Sequence, residues 1–425
     1  KTISTNRGKY GIKWYKISLF TMNILYSQSH LSLNYKVVFS ILFILNPTVA
    51  SLLILFFLSG KSCKVNHVFL GMILSAYVSL INVTKVPVND LESYLEYFSA
   101  AGDMPLYEYL FYWNKYKAGV ESLKEPAYAV FSYFSYHILG GNQKAFVFLF
   151  SFLIYNLYFL SLYKVCRFLK LNTTQIVVSI LFLFFNPVLF SLSVHLFRQV
   201  LAGAILFYIL VACFFYSKVK YWLIFMIPLI HSTTFFFIPM MFLFRFMNPY
   251  MNKKSIIIML LFVIILSNYQ SIASLLLTFI SGKIVFLDYI LSRASEDTRY
   301  ELGKLPIHQI GILLFIVVAI IVLNLKRVKY NDGLYKFYNV FVFLSVFILL
   351  NLRQDELSNR FYVFIWLFLP YFVIPFSTNI SLAMLKSLIV IMWIVFFIYI
   401  NITPFYIYRA APYLLSDSVF DYLLF

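Results

Sequence analysis

The sequence predicts an all-α polytopic membrane protein with about 10–12 transmembrane helices, including a re-entrant or broken hairpin. Three observations carry this prediction. Hydrophobic residues fill 62% of 425 positions and charged residues 12%, a balance that excludes a soluble globular domain. Many apolar runs approach the roughly 20 residues that cross a bilayer as a helix. The Lys and Arg residues behind the net charge of +18 fall mostly in short clusters between those runs. There they orient a membrane protein, and no nucleic-acid partner is expected.

The runs occupy about 37–59, 66–84, 144–163, 174–195, 199–217, 255–280, 307–325, 335–352, 361–376 and 380–400. Five basic clusters read as cytoplasmic: Lys61/Lys64, Lys164/Arg167/Lys170, Lys218/Lys220, Arg245/Lys253/Lys254 and Lys326/Arg327/Lys329. Segment 221–247 then begins and ends on one side. It reads as two short helices, YWLIFMIPLI and TTFFFIPMMFLF, turning at His231-Ser232, a break tolerated where it lines an enclosed cavity. A single long span with one misplaced basic cluster is the alternative. The short aromatic piece 127–140 is expected to lie along the outer surface. Parity places loops 85–126, 196–198, 281–306 and 353–360 outside, with the N-terminus and the tail from 401.

Residues 1–36 form an N-terminal segment, and 37–425 read as a single integral membrane domain with outward loops 85–126 and 281–306. Residues 1–21 are basic and mixed, with no compact apolar core of a signal peptide. They fit the outer side poorly and read as non-native, with Met22 as a natural start. Cys63, Cys166 and Cys213 lack metal-type spacing and read as inert. The 49 Phe and 34 Tyr are expected mainly at lipid and at the interfaces.

With this topology, Asp90, Glu125, Arg198, His231-Ser232 and Arg360 gather on the outer side. An ionisable group at membrane depth usually lines a pathway or site. Each also has a plain structural reading. The arginines can snorkel, Asp90 can cap a helix, Glu125-Pro126 can open one, and His231 can be a hydrogen-bonded structural histidine. Arg198 has no acidic partner nearby in the sequence, so a visiting anion is the partner expected for it. Two guanidinium forks suit a phosphate or pyrophosphate, while the nearby aqueous carboxylates suit hydroxyl-rich substrates or proton transfer. P-loop, GxSxG, HExxH and DxD patterns are absent, so neither metal nor cofactor is expected. The residues alone point to a membrane-embedded site for an anionic lipid-linked substrate.

At these positions the chain resembles the EpsG-type polysaccharide polymerases, a family that includes many O-antigen and exopolysaccharide Wzy proteins. The shared pattern is Asp90 with Tyr94, Glu125-Pro126, Arg198-Gln199, His231-Ser232 and Arg360-Phe361, in order over about 66–376. One departure is the stretch Lys85-Val-Pro-Val-Asn, where the family often has an Arg or a Gly. The resemblance implies a GT-C-like membrane glycosyltransferase in the bacterial inner membrane, with its site facing the periplasm or exterior. It would move a glycan from undecaprenyl pyrophosphate onto another lipid-linked repeat unit, and a chain-length regulator would be a partner. In that scheme Arg198 and Arg360 hold the pyrophosphate, with Lys85 as a substitute point charge. His231 or Asp90 is the general base, while Glu125, Tyr94, Gln199 and Ser232 orient sugars. Rival expectations are a lipid-linked oligosaccharide flippase, a membrane acyltransferase, and a GT-C enzyme adding single sugars from a lipid-phosphate donor.

Overall fold

A computed structural model describes residues 33–59, 67–88, 90–118, 125–217, 221–246, 257–258, 261, 264–265, 269–280, 307–325, 331–351, 355–402 and 415–424. Every regular element among them is helical, as the composition requires. Segment 1–21, Cys63 and loop 281–306 lie outside the described residues. The first half contains α1 (Leu33–Leu45), α2 (Pro47–Ser59), α3 (His67–Val83), α4 (Asp90–Ala100), α5 (Leu106–Ala118), α6 (Pro126–Leu139) and α7 (Gln143–Phe168). It continues with α8 (Thr173–Phe184), α9 (Pro187–His195) and α10 (Phe197–Phe214). The second half contains α11 (Tyr221–Met226), α12 (Phe237–Phe246), α13 (Tyr269–Ile280), α14 (Ile307–Leu325) and α15 (Asp332–Leu350). It ends with α16 (Asp355–Phe372), α17 (Leu382–Ile402) and α18 (Val419–Leu424).

Among the described residues, five helices are long and apolar enough to cross a membrane, or six if α8 and α9 make one bent span. Five shorter apolar helices accompany them, including His67–Val83 and Ser232–Arg245. Burial separates the centre from the rim. The windows in Phe197–Tyr216 and Asp332–Leu350 are each 78% buried, whereas that in Leu382–Asn401 is 22% buried and faces outward. Helix α10 is the hub: it packs on α7, α9, α15 and α16.

Two apolar runs that read as continuous are interrupted. Run 37–59 divides between α1 and α2 at Asn46-Pro47, where the Asn46 side chain accepts the Val49 N–H at 2.9 Å. Run 174–195 bends by 47° between α8 and α9. There Asn186 accepts the N–H groups of Val188 and Leu189, and Pro187 takes the first helical position. Asn is a strong N-cap and Pro loses no helical bond at N1, so Asn-Pro starts a helix afresh inside an apolar run.

Three further expectations are sharpened. Loop 85–126 holds two helices, α4 and α5, and α4 begins at Asp90. The piece at 127–140 is helix α6, opened by Glu125-Pro126. Segment 221–247 breaks where the sequence placed the break: two 3-10 turns, Ile227–Leu229 and Ser232–Phe236, flank an extended His231. The last polar loop is shorter than expected. DELSN is helical, so α16 starts before Arg360, while the apolar span it carries starts at Arg360.

Close approach between α3 and α7 depends on Gly71. A Cβ there would sit 2.1 Å from the Phe159 ring, inside van der Waals contact. Gly71→Leu is therefore expected to lower stability by about 1–3 kcal/mol through overpacking. In thermal unfolding of the purified protein, adding Phe159→Ala should recover part of that loss; strictly additive losses would mean the two positions do not compete for space.

Candidate functional site

The site lies at one end of the bundle and is organised by a carboxylate. Glu125 is 1% exposed. Its backbone sits in the left-handed region at φ 48°, ψ 59°, a strained conformation for a residue with a side chain. Such strain amounts to about 1–3 kcal/mol and persists only where surrounding contacts over-determine it. Those contacts come from two distant segments. The Arg198 guanidinium bonds one carboxylate oxygen, and the His231 Nδ1 lies 2.8 Å from the other. That second oxygen also accepts the Ser232 N–H at 3.2 Å.

Each partner is placed by its local structure. Arg198 is the second residue of α10. A cation at a helix N-terminus faces the positive end of the helix dipole, which makes a nearby anion more valuable. His231 is extended because the helix breaks there, and the break frees the Ser232 N–H for Glu125. A carboxylate only accepts, so a proton on the His231 Nδ1 suits this contact and leaves Nε2 as the basic nitrogen.

Aromatic rings wall the ion pair. The Arg198 guanidinium lies 5.2 Å from the Tyr94 ring centre and 5.6 Å from that of Tyr128. Tyr94 also packs on Phe197, at 5.7 Å between centres. Behind Tyr128, Tyr97 stacks on Tyr109 at 4.3 Å, and the Tyr97 hydroxyl donates to the Tyr109 carbonyl. Burial pushes the phenols of Tyr97 and Tyr109 up, so both remain neutral donors.

Of the residues singled out from sequence, Glu125, Arg198, His231, Ser232 and Tyr94 come together. Gln199 and Arg360 adjoin them. The buried Gln199 amide donates to the Arg360 carbonyl, and Arg360 is close enough to His231 to act on it electrostatically. Gly203, one turn further along α10, lets α16 approach: a Cβ there would lie 2.6 Å from Leu367.

Four expectations are corrected. Arg198 has a fixed acidic partner, Glu125, which is 73 residues away in sequence and adjacent in space. Glu125 is not an aqueous carboxylate but a buried one. Asp90 is exposed at the start of α4, one turn before Tyr94, on which it acts electrostatically, and is not buried with the ion pair. The Lys85 amine is buried against α9, donating to the Phe190 and Ser191 carbonyls and lying 4.0 Å from the Phe190 ring centre. An amine so engaged ties the end of α3 to α9 and is not poised as a point charge for phosphate. Tyr128 escaped the sequence reading, although its place just after Glu125-Pro126 was the available signal. Among the described residues, no three His, Cys, Asp or Glu side chains converge as a metal site would need.

Removing one member of a buried ion pair strands the other, at a cost of about 3–5 kcal/mol. Glu125→Ala should lower the thermal stability of the purified protein by that order. Combining Glu125→Leu with Arg198→Met should restore much of it, because neither charge is then left alone. A double variant as unstable as the sum of the singles would contradict direct pairing.

Comparison with known proteins agrees with the sequence resemblance. The family model described as the EpsG family matches residues 68–415. No curated protein and no solved structure gives a match. The matched stretch takes in every residue of the Glu125 cluster and most of the chain, and the protein therefore belongs to the EpsG family.

Proposed function

We propose that the protein is a membrane polymerase that joins undecaprenyl-pyrophosphate-linked oligosaccharide repeat units into O-antigen or a related surface polysaccharide. It would work in the bacterial inner membrane with its site towards the periplasm or exterior, on a GT-C-like framework. A chain-length regulator would be its protein partner. Family membership supports a polysaccharide polymerase. The single observation that carries the mechanism is the buried Glu125 carboxylate shared between Arg198 and His231.

In this reading the acceptor sugar hydroxyl attacks the anomeric carbon of the donor glycan. The bond from that carbon to the pyrophosphate oxygen breaks, and the electron pair leaves on undecaprenyl pyrophosphate. The hydroxyl proton passes to the His231 Nε2. Glu125 holds the imidazole by its Nδ1–H and stabilises the imidazolium that forms, the division of labour of a base and its orienting carboxylate. Of the two candidate bases, His231 is favoured over Asp90 because its Nδ1 lies against the Glu125 carboxylate, which stabilises the imidazolium, whereas Asp90 is exposed.

Arg198 and Arg360 would offset charge on the departing diphosphate. A guanidinium has five N–H donors, so one carboxylate does not exhaust it. Tyr94, Gln199 and Ser232 would shape the surrounding pocket, and Lys85 is left out because its amine is already engaged.

The test is formation of a polymer ladder from purified protein and lipid-linked repeat units. His231→Ala should reduce turnover by about 10²- to 10⁴-fold, the usual weight of a general base. Arg198→Ala should also abolish ladder growth. Wild-type polymerisation by both variants would sink the assignment. A protein that moved labelled lipid across vesicles without lengthening glycans would instead be a flippase.

A further inference from the structure

Tyr128 presents a hydroxyl that no described residue engages. The residue is 3% exposed, and among the described residues its hydroxyl has no hydrogen-bond partner. A buried hydroxyl without a partner is costly, and native proteins leave few of them. Its neighbours in the same layer are satisfied: the Tyr109 hydroxyl donates to Ser132 at 2.9 Å, and the Tyr97 hydroxyl to the Tyr109 carbonyl at 3.1 Å. Tyr158 also lacks a partner, but it packs on Phe207 and Tyr371 within the apolar bundle.

The surroundings of Tyr128 are different. Its ring lies 5.6 Å from the Arg198 guanidinium and 6.0 Å from the Tyr94 ring. Glu125, the nearby acceptor, already serves Arg198, His231 and the Ser232 N–H. Burial keeps the phenol protonated, so its O–H is available to donate to an incoming acceptor. An oxygen that would satisfy a phenol beside a guanidinium is an anionic one, reached by both donors together.

We propose that the Tyr128 hydroxyl contacts substrate in this site, donating a hydrogen bond to a diphosphate oxygen of the lipid-linked glycan. This rests on the polymerase reading above. It makes Tyr128 a recognition residue for the leaving group, distinct from the base and its orienting carboxylate.

The decisive variant is Tyr128→Phe, which removes one oxygen and keeps the ring against Arg198. Three quantities are compared in the purified protein: the melting temperature without ligand, the rise in it on adding undecaprenyl pyrophosphate, and kcat/KM for ladder formation. Tyr128→Phe is expected to leave the ligand-free melting temperature at the wild-type value, because no internal bond is lost. It should weaken the stabilisation by undecaprenyl pyrophosphate and lower kcat/KM by about 10- to 100-fold, the range for a hydrogen bond to a charged group. Tyr109→Phe, which does lose an internal bond, should lower the melting temperature and leave kcat/KM near wild type.

If Tyr128→Phe retains wild-type kcat/KM and wild-type stabilisation by the carrier, the inference is overturned while the polymerase reading stands. If it melts early as Tyr109→Phe does and still binds the carrier normally, the hydroxyl is structural and the inference again fails. If the wild-type protein neither polymerises nor is stabilised by undecaprenyl pyrophosphate, the functional reading falls and takes this inference with it.

Discussion

The pairing of Glu125 with Arg198 and His231 is the constraint on which this end of the molecule depends. A carboxylate buried to 1% exposure would be untenable alone, and so would a guanidinium at the start of a buried helix. Together they satisfy one another, and the His231 ring and the Ser232 N–H complete the carboxylate's coordination. Three segments far apart in sequence are thereby held in one arrangement. The left-handed backbone at Glu125 is the local cost of aiming that carboxylate inwards while Pro126 starts α6 outwards.

The rest of the bundle serves this arrangement by bringing α10 to the centre. Gly203 lets α16 close on α10, which is how the Gln199 amide reaches the Arg360 carbonyl. The cap at Asn186 turns α9 away from the direction of α8, and the chain then enters α10 through Leu196. The Lys85 amine holds that turned helix to the end of α3. Breaks in apolar helices leave backbone groups in need of partners, and they are stable only where those groups are answered. At His231 the answer is Glu125 itself, so the break and the ion pair support one another.

Hydropathy made most of the helices legible, because membrane spans announce themselves by length and composition. The break at His231-Ser232 was legible too, since two prolines and a polar pair interrupt an apolar segment. Asn46-Pro47 and Asn186-Pro187 carried equally good start signals, but the apolar residues on either side outweighed them. Helix α5 was hidden for the opposite reason: its mean hydropathy is low, so it read as loop, while α4 showed only through Asp90 as a possible cap. The ion pair was not legible. Nothing in the local sequence of Arg198 reveals an anion 73 positions earlier, and Glu125-Pro126 reads as a helix opening, which it also is. Only the packing of α6 against the break at 227–229 unites the two roles.

That union changes what an arginine in this position means. A guanidinium with no internal partner would need its ligand merely to stay folded, and the substrate-free protein would carry a buried charge. With Glu125 beside it, the Arg198 charge is matched in the resting protein, and binding an anion becomes a matter of adding to a satisfied pair. On the proposed reaction, that arrangement has a chemical use. The charge that the imidazole gains on accepting a proton appears next to the carboxylate, while the charge released on the diphosphate appears towards the guanidiniums. Two opposite charges develop in one turnover, and the resting ion pair already separates the groups that receive them.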